Sequence, residues 1–317
     1  MPKKGCLGCS FPVFIGLLVF FLVIIFIGFA AGPIGRSLLP LTLPAWLSVS
    51  QPRPELPAEV VFHLFGFPVT NTIIGAWLTT LVLVVLIVVG LRRPQLVPKR
   101  GQAFVEFIFV SLLNFCESVA GEKNGRRFFP YVAAIFLFVM FNAYLSLLPG
   151  FGSILVHTHE GEVHLLRGAN TDINVPLALA LFSFIVVETF GFRALGIRYG
   201  GKFINVGVLF SGFGLLFRGT FKKGFGAIGT GVINIFIGIV EMLSEFIRII
   251  SLTLRLFGNM TAGEILLLMV TFLVGFIIPV VFYGLELIVG FVQALIFAAL
   301  TLIFMTVAVA SHGEEHH

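Results

Sequence analysis

The chain has 317 residues, of which 58% are hydrophobic and 11% are charged, and its mean hydropathy is +1.08. This composition excludes a soluble globular domain and is typical of a membrane protein with several crossings. A net charge of +5 does not indicate a nucleic-acid partner here, because the basic residues follow the distribution expected of membrane topology, and three cysteines provide no disulfide framework.

Six hydrophobic runs predict six membrane crossings, since each is long enough to span roughly 30 Å of hydrocarbon as a helix. The charges spread through residues 99–121 predict a helix on the membrane surface, and the Gly- and Phe-rich residues 203–229 predict an interfacial connection. We therefore predict an all-α polytopic membrane protein whose last two helices are long, tilted and paired as a hairpin. The six runs cover about residues 11–31, 73–91, 130–149, 174–195, 230–272 and 276–311.

Residues 1–70 predict a membrane anchor followed by a Pro-rich, irregular external linker, ahead of a membrane domain over residues 71–317. The first hydrophobic run is longer than the core of a signal peptide, which favours an uncleaved helix over cleavage near Ala31. Cys6 and Cys9 form a CxxC, for which two small apolar residues near a membrane surface are the simpler interpretation and a metal or redox role is the alternative. The lack of an Arg- and Ser-rich amphipathic leader favours a bacterial inner membrane over an organelle.

The basic residues predict the orientation of the chain. With the N-terminus in the cytoplasm, six crossings return the C-terminus to the cytoplasm, and 15 of the 20 Lys and Arg residues fall on the cytoplasmic side. Arg36, Arg53 and Arg167 fall outside, and Arg248 and Arg255 lie within a span. This asymmetry is the one that the positive-inside rule expects.

Arg255 lies in a long apolar segment, with more than twenty mostly apolar residues on either side. A charge at membrane depth costs roughly 3 kcal/mol on insertion scales and more in simulations. Arginine does not lose its proton to avoid this cost. The sequence therefore predicts that Arg255 lies in a polar cavity on a path for ions.

Further ionisable residues share the helix of Arg255. Glu241, Glu245, Arg248 and Arg255 are spaced 4, 3 and 7 residues apart, so they lie on one face. Glu264 lies nine residues beyond Arg255, about 180° round the helix and roughly 14 Å further along it. Carboxylates on both sides of Arg255 in depth indicate two aqueous approaches, from opposite sides of the membrane, that do not meet.

The last two helices are predicted to pair about a turn at Gly275. The midpoint of positions 255 and 293 is 274, and the midpoint of positions 264 and 286 is 275, so both pairings indicate the same turn. Gln293 would then reach Arg255 with a hydrogen bond. Glu264 and Glu286 would form a carboxyl pair that shares or passes protons.

Three other interpretations were weighed against an ion path. Ser244, Asn259 and Gln293, taken singly, are as consistent with polar contacts that hold helices together, whereas four carboxylates and two arginines in two spans favour a function. A secondary transporter predicts internal repeats, which the sequence lacks. A metal-dependent intramembrane protease predicts a ligand motif such as HExxH, which is absent, and the external histidines lie in a Gly-containing loop, so no metal site is predicted. These histidines are His157, His159 and His164.

The segment SLTLRLFGNMTAGE resembles the signature of subunit a of F-type ATP synthases. The preceding EMLSEFIRII, the C-terminal FVQALIFAALTLIFMTVAVASHGEEHH, and more weakly TDINVPLALAL, FNAYLSLLPG and FGFPVTNTIIGAWL resemble it as well. The resemblance implies a non-catalytic proton-channel subunit of the F0 sector with no cofactor. It also implies partners in the membrane, namely the ring of c subunits, the peripheral-stalk b subunits and the other subunits of the complex, with the terminal hairpin against the ring.

The resemblance also implies a role for individual residues. Arg255 matches the essential arginine that faces the ring and separates two half-channels. The cytoplasmic half-channel is expected to include Glu241, Ser244 and Arg248. The external half-channel is expected to include Asn142, Asp172, Asn259, Glu264, Glu286 and Gln293. Glu188 and Glu245 match no position with a known role, and protons are the default coupling ion.

Overall fold

The computed structural model describes residues 11–38, 57–91, 100–148, 150–158, 161–202, 221–275 and 277–310. Seven α-helices and two short β-hairpins make up most of these residues. The helices are α1 (Phe11–Ala31), α2 (Pro33–Leu38), α3 (Asn71–Leu91), α4 (Arg100–Ser146), α5 (Asn174–Leu195), α6 (Phe221–Val274) and α7 (Ile277–Ala310). The strands are β1 (Val60–Leu64), β2 (Phe67–Thr70), β3 (Leu155–Thr158) and β4 (Gly161–His164).

Several helices have the length and composition of membrane spans. Four of those in the described ranges qualify, over Asn71–Gly90, Gly101–Ser146, Asn174–Leu195 and Ile278–Ala310, and α1 includes a shorter apolar stretch over Ile15–Ala31. Helices satisfy their own backbone hydrogen bonds, which is the condition for crossing hydrocarbon. The chain is therefore a multi-pass helical membrane protein.

The hydrophobic runs give most helix ends closely, but not the start of α6. The predicted run from 230 to 272 lies within a helix that begins nine residues earlier, at Phe221. A hydrophobic run marks only the part of a helix that lies in apolar surroundings. The helix itself can continue beyond that run, because each further residue adds one backbone hydrogen bond. Residues 203–220 of the predicted interfacial connection lie outside the described ranges.

The predicted surface helix and the third predicted crossing are continuous in α4. They meet at Gly121, which has φ 76° and ψ 161°, so the surface helix ends where predicted. The following helix begins at once rather than at residue 130. That backbone conformation is essentially limited to glycine, so Gly121 fixes where one helix stops and the next begins.

The prediction of an irregular linker over residues 32–70 was wrong for the residues described. Residues 33–38 form α2, and β1 and β2 form an antiparallel hairpin in which Leu64 pairs with Phe67. Its two-residue loop, Phe65 and Gly66, has positive φ at both positions, which is the geometry that matches the twist of a tight hairpin. The prolines of this segment suggested a coil, yet Pro68 pairs with His63 at the edge of a two-stranded sheet, where proline is tolerated.

The structure divides into two compact units. In the first, the turn between α6 and α7 lies at Gly275, as predicted, and α1 packs against it. A methyl group on Gly32 would overlap the carbonyl of Leu273, and one on Gly275 would lie 3.4 Å from the carbonyl of Gly28. The first unit comprises Met1–Gly75, Ala143–Asp172 and Gly258–Val292, and the second comprises Ala76–Asn142, Ile173–Phe257 and Gln293–His317.

The second unit has an aromatic core between α4 and α5. The ring of Phe190 on α5 packs edge-on against Phe128 and Tyr131 of α4, with centroids 5.0 Å and 5.5 Å away. A buried hydroxyl pair, Ser183 and Thr301, joins α5 to α7 at 2.8 Å. Such aromatic and polar contacts hold these helices at fixed positions within the second unit.

Candidate functional site

The Arg167 cluster, defined as Arg167, Glu264 and Glu286, lies in the first unit. The Nη2 of Arg167 donates to Oε2 of Glu264 at 3.0 Å, and its Nε reaches the same oxygen at 3.4 Å. Its Nη1 donates to the carbonyl oxygen of Pro57 at 3.1 Å. Only 12% of the Arg167 side chain is exposed, so the arginine end of this ion pair is largely shielded from water.

Glu286 reaches the same turn of α6 from α7. Its side chain is buried, and its carboxylate packs against Gly263, the residue before Glu264. A methyl group on Gly263 would overlap that carboxylate. The sequence predicted that Glu264 and Glu286 pair with each other; the ion-pair partner that the structure gives Glu264 is Arg167, which the sequence interpretation had counted only as an external positive charge.

A second polar group of the first unit lies at the start of α3. The hydroxyl of Thr72 donates to Oδ2 of Asp172 at 3.0 Å, and both residues are buried. The Nδ2 of Asn71 donates to Oε2 of Glu59 at 3.3 Å, and the backbone N–H of His164 donates to that same oxygen at 3.2 Å. Asp172 thus has a defined buried partner on α3, and Glu59 connects α3 to the β3–β4 hairpin.

The Tyr199 cluster, defined as Glu188, Tyr199, Glu245 and Arg248, lies in the second unit. The hydroxyl of Tyr199 donates to Oε1 of Glu188 at 3.3 Å, and Arg248 forms an ion pair with Glu245 at 2.7 Å. The guanidinium of Arg248 also lies 3.8 Å from the ring centroid of Phe304 on α7. Glu245 and Tyr199 are almost completely buried, so two carboxylates, a phenol and a guanidinium share a protected site.

The environment of Tyr199 favours its protonated form. The residue lies in the 3-10 segment Gly196–Lys202 after α5, and its ring packs against Gly191 and Phe192. Burial raises the pKa of Tyr199, and the carboxylates of Glu188 and Glu245 raise that pKa further. The phenol therefore keeps its proton and acts as a hydrogen-bond donor.

The remaining residues predicted for the external half-channel have different environments. Asn142 is buried on α4, and its Nδ2 donates to the hydroxyl of Thr79 on α3 at 3.0 Å. Gln293 is buried on α7, with 2% of its surface exposed. Asn259 is exposed on α6.

The residues predicted for the ring surface and the cytoplasmic half-channel lie along α6. Arg255 and Ser244 are exposed, and Glu241 is partly exposed. The hydroxyl of Ser244 donates to the carbonyl of Val240 at 2.8 Å, a bond within its own helix that any buried or exposed serine can make. The predicted Arg248 is the one member of this set that the structure places in a cluster, with Glu245 and Tyr199.

Two of the histidines that the sequence places in one loop fall in the β3–β4 hairpin. His157 lies on β3 and His164 on β4, while His159 lies outside the described ranges. Among the residues that the structure describes, no three or more His, Cys, Asp or Glu side chains converge in a way that suits a metal ion.

Comparison with known proteins matches the sequence to one family. The family model described as ATP synthase A chain matches residues 73–306, from the start of α3 almost to the end of α7. The chain belongs to the ATP synthase A chain family. This membership makes it a membrane protein of ATP synthesis and proton transport.

Relatives in this ATP synthase family cover most of the chain. It is 32% identical over 246 residues to ATP synthase subunit a of Gloeobacter violaceus, which covers 78% of this chain and 86% of the relative. It is 28% identical over 267 residues to ATP synthase subunit a of Cereibacter sphaeroides, at 82% and 87% coverage. It is 31% identical over 239 residues to that of a Sulfurihydrogenibium species, at 75% and 96% coverage.

Four polar residues of these clusters, Arg167, Glu188, Tyr199 and Glu245, were not predicted as site residues from the sequence. Arg167 is 97 residues from Glu264, so no spacing rule connects the two. Glu188 and Tyr199 are 11 residues apart and meet because the chain folds back at Gly196, which has φ 61°. A glycine that ends an apolar helix, followed by a tyrosine three residues later, is the signal that would have indicated this fold-back.

Proposed function

We propose that this chain is the stator subunit of the F0 sector that carries protons through two offset half-channels and faces the c-subunit ring with Arg255. It has no catalytic role of its own, because the nucleotide chemistry belongs to other subunits. Coupling between proton flow and ring rotation takes place at the surface of α6. The observation that carries the proposal is the environment of Arg255 on that helix.

Arg255 is exposed on α6, and several large apolar residues of the same helix are exposed as well. Ile247, Ile250 and Leu254 are 54%, 40% and 52% exposed, and Phe246 is 60% exposed. An arginine in contact with lipid at this depth would cost at least about 3 kcal/mol, whereas its exposed apolar neighbours can face lipid tails without such a cost. A ring of helices that each carry one mid-membrane carboxyl group removes this cost, because the carboxylate pairs with the guanidinium.

The external half-channel would bring protons from outside to the ring. Glu286 and Glu264 are the carboxyl groups that would pass the proton inward, with Asp172 and Asn142 further out and Asn259 and Gln293 closer to the ring. A path for protons through hydrocarbon needs a chain of groups that accept and donate them. The ion-paired Glu264 on α6 and the buried Glu286 on α7 support such a route.

The cytoplasmic half-channel would release the proton after nearly a full turn of the ring. Glu241 and Ser244 lie on the exposed part of α6, and Arg248 lies two turns before Arg255. A positive charge near the release point favours the ionised form of a passing ring carboxyl, which drives the proton off.

Arg255 would separate the two routes. A protonated ring carboxyl is neutral and can face lipid, whereas the ionised form is held by the guanidinium. Protons therefore cross only by rotating with the ring, and the membrane potential supplies about 2.3 kcal/mol per charge per 100 mV. This mechanism assigns the seal to one residue and the conduction to the carboxylates on either side.

The same proposal includes the topology and partners. Six crossings place both termini in the cytoplasm of a bacterial inner membrane, with residues 1–70 as an anchor and linker and residues 71–317 as the conducting domain. The hairpin of α6 and α7 would be tilted against the c-ring, and the first part of α4 would lie on the membrane surface. The peripheral-stalk b subunits would hold the chain against the torque of the ring.

The experiment is Arg255→Ala in the assembled complex in sealed vesicles, with Arg36→Ala as the matched control. Arg36 is an exposed arginine on α2. We expect ATP-driven acidification to vanish for Arg255→Ala while ATP hydrolysis by the soluble sector continues, and to persist for Arg36→Ala. Acidification near the control rate in the Arg255 variant would refute the proposal.

A further inference from the structure

Arg167 lies in a segment that the fold holds in place. A methyl group on Gly75 would overlap the carbonyl oxygen of Arg167, so α3 packs directly against the backbone at this residue. A methyl group on the next residue, Gly168, would lie 3.0 Å from the side chain of Ser146 at the end of α4. The backbone that presents Arg167 is thus held between the start of α3 and the end of α4, all within the first unit.

Its guanidinium is held at both ends. Two of its nitrogens converge on a single oxygen of Glu264, and the third donates to the carbonyl of Pro57. An arginine with a fork of donors in fixed positions orients its acceptor as well as attracting it, which a flexible lysine does less well. Because 34% of the Glu264 side chain is exposed, that carboxylate would otherwise have free rotamers to choose from.

A second carboxyl group lies beside the same turn of α6. Glu286 packs against Gly263, so the carboxyl group of α7 lies beside the turn of α6 that Arg167 fixes. Passing a proton from one carboxyl group to another needs a heavy-atom separation of about 2.6–3.2 Å, directly or through one water. A carboxylate held in one orientation reaches that geometry more often than one that exchanges between several rotamers.

We propose that Arg167 is a positioning residue of the external proton path, which acts by anchoring and orienting the Glu264 carboxylate. The inference rests on the proposed function, since it needs Glu264 to lie on that path. Arg167 lies in a loop far in sequence from the SLTLRLFGNMTAGE segment of α6, and it would be one of the residues that determine the rate of proton uptake. Arg167 itself does not carry the proton, because it stays charged throughout.

The test uses the assembled complex in sealed vesicles and compares Arg167→Ala and Arg167→Lys with Arg36→Ala. Arg36 is the matched control, since it is also an external arginine but is exposed. We expect ATP synthesis driven by an imposed pH gradient to be roughly tenfold slower in Arg167→Ala, because a hydrogen bond to a charged group contributes about that factor or more. Arg167→Lys should lose less, since it keeps the charge but not the fork.

Chemical rescue separates positioning from folding. Ethylguanidinium enclosed in the vesicle lumen, which the external side of the chain faces in this assay, should restore part of the rate of Arg167→Ala, while ethylammonium should restore less and Arg36→Ala should respond to neither. A rate for Arg167→Ala equal to that of Arg36→Ala would overturn the inference. The inference would also be overturned if Arg167→Ala were slow at normal amounts of the chain, ethylguanidinium did not raise its rate, and Arg167→Lys were equally slow. Persistent pumping in Arg255→Ala would instead overturn the proposed function, whatever the Arg167 variants do.

Discussion

Gly263 is the position at which a single methyl group should slow proton transport without unfolding the protein. Alanine at this position would put its Cβ 2.5 Å from Oε2 of Glu286 and closer still to Oε1 and Cδ. Ordinary contact begins at 3.4 Å, so the carboxylate must move by at least about 1 Å. The atoms that must move are the end of a flexible side chain, and alanine in a helix is up to about 1 kcal/mol better than glycine, so the net change in the free energy of unfolding should be small.

The effect on transport should be much larger than the effect on stability. A misplacement of about 1 Å in a reacting group can cost roughly 100-fold in rate, so we expect Gly263→Ala to slow ATP synthesis in vesicles by roughly 10- to 100-fold. Gly284→Ala is the matched control, because it adds a methyl group on α7 where nothing lies within 4 Å. Complex amounts should be equal for both. Equal rates for the two variants would refute the reasoning that the position of the Glu286 carboxylate limits proton transfer.

Two further predictions concern buried polar contacts. Asn142→Leu keeps the side-chain volume but removes the hydrogen bond to Thr79, which should lower the free energy of unfolding by about 1–3 kcal/mol. We therefore expect thermal unfolding of the purified complex to begin at a lower temperature, and an unchanged transition would contradict this. Burial raises the pKa of Tyr199, so its contribution to stability is fully present below the ordinary tyrosine pKa of about 10 and is lost as pH rises through the higher folded value. The tyrosinate absorbance of wild type near pH 10 should therefore match that of Tyr199→Phe, and a loss of absorbance in the variant at that pH would count against the buried environment.

The sequence predicted the helices well because their signal is local. The runs over 11–31 and 174–195 coincide with α1 and α5, and the midpoint argument gave the turn at Gly275. Both rest on properties that a linear sequence carries directly, namely the length of an apolar run and the antiparallel pairing of two adjacent helices. The β1–β2 hairpin was missed because its alternating pattern is short and its prolines argue for a coil.

The candidate site was less predictable, because part of it is formed by distant segments. Arg255, Glu264 and Glu286 were identified from charges in apolar runs and from a family resemblance, and their roles remain a proposal. The partner of Glu264 was not identified, since Arg167 lies in a loop whose path depends on the packing of α3 and α4. Tyr199 was missed because a tyrosine after an apolar helix has no unusual composition, and only the fold-back at Gly196 shows that it faces Glu188.

Gly121 has a consequence for how this sequence can vary. Its φ of 76° and ψ of 161° lie where a side chain is strained, although a Cβ there would have open space around it. A single nucleotide change in a glycine codon that is not silent yields only residues with a Cβ, or a stop, so every one-step amino-acid substitution at this position meets a strain of about 1–3 kcal/mol. In a random-mutagenesis library selected for growth that depends on ATP synthesis, codon 121 should therefore accept only synonymous changes, while codons for the exposed apolar residues nearby accumulate amino-acid substitutions.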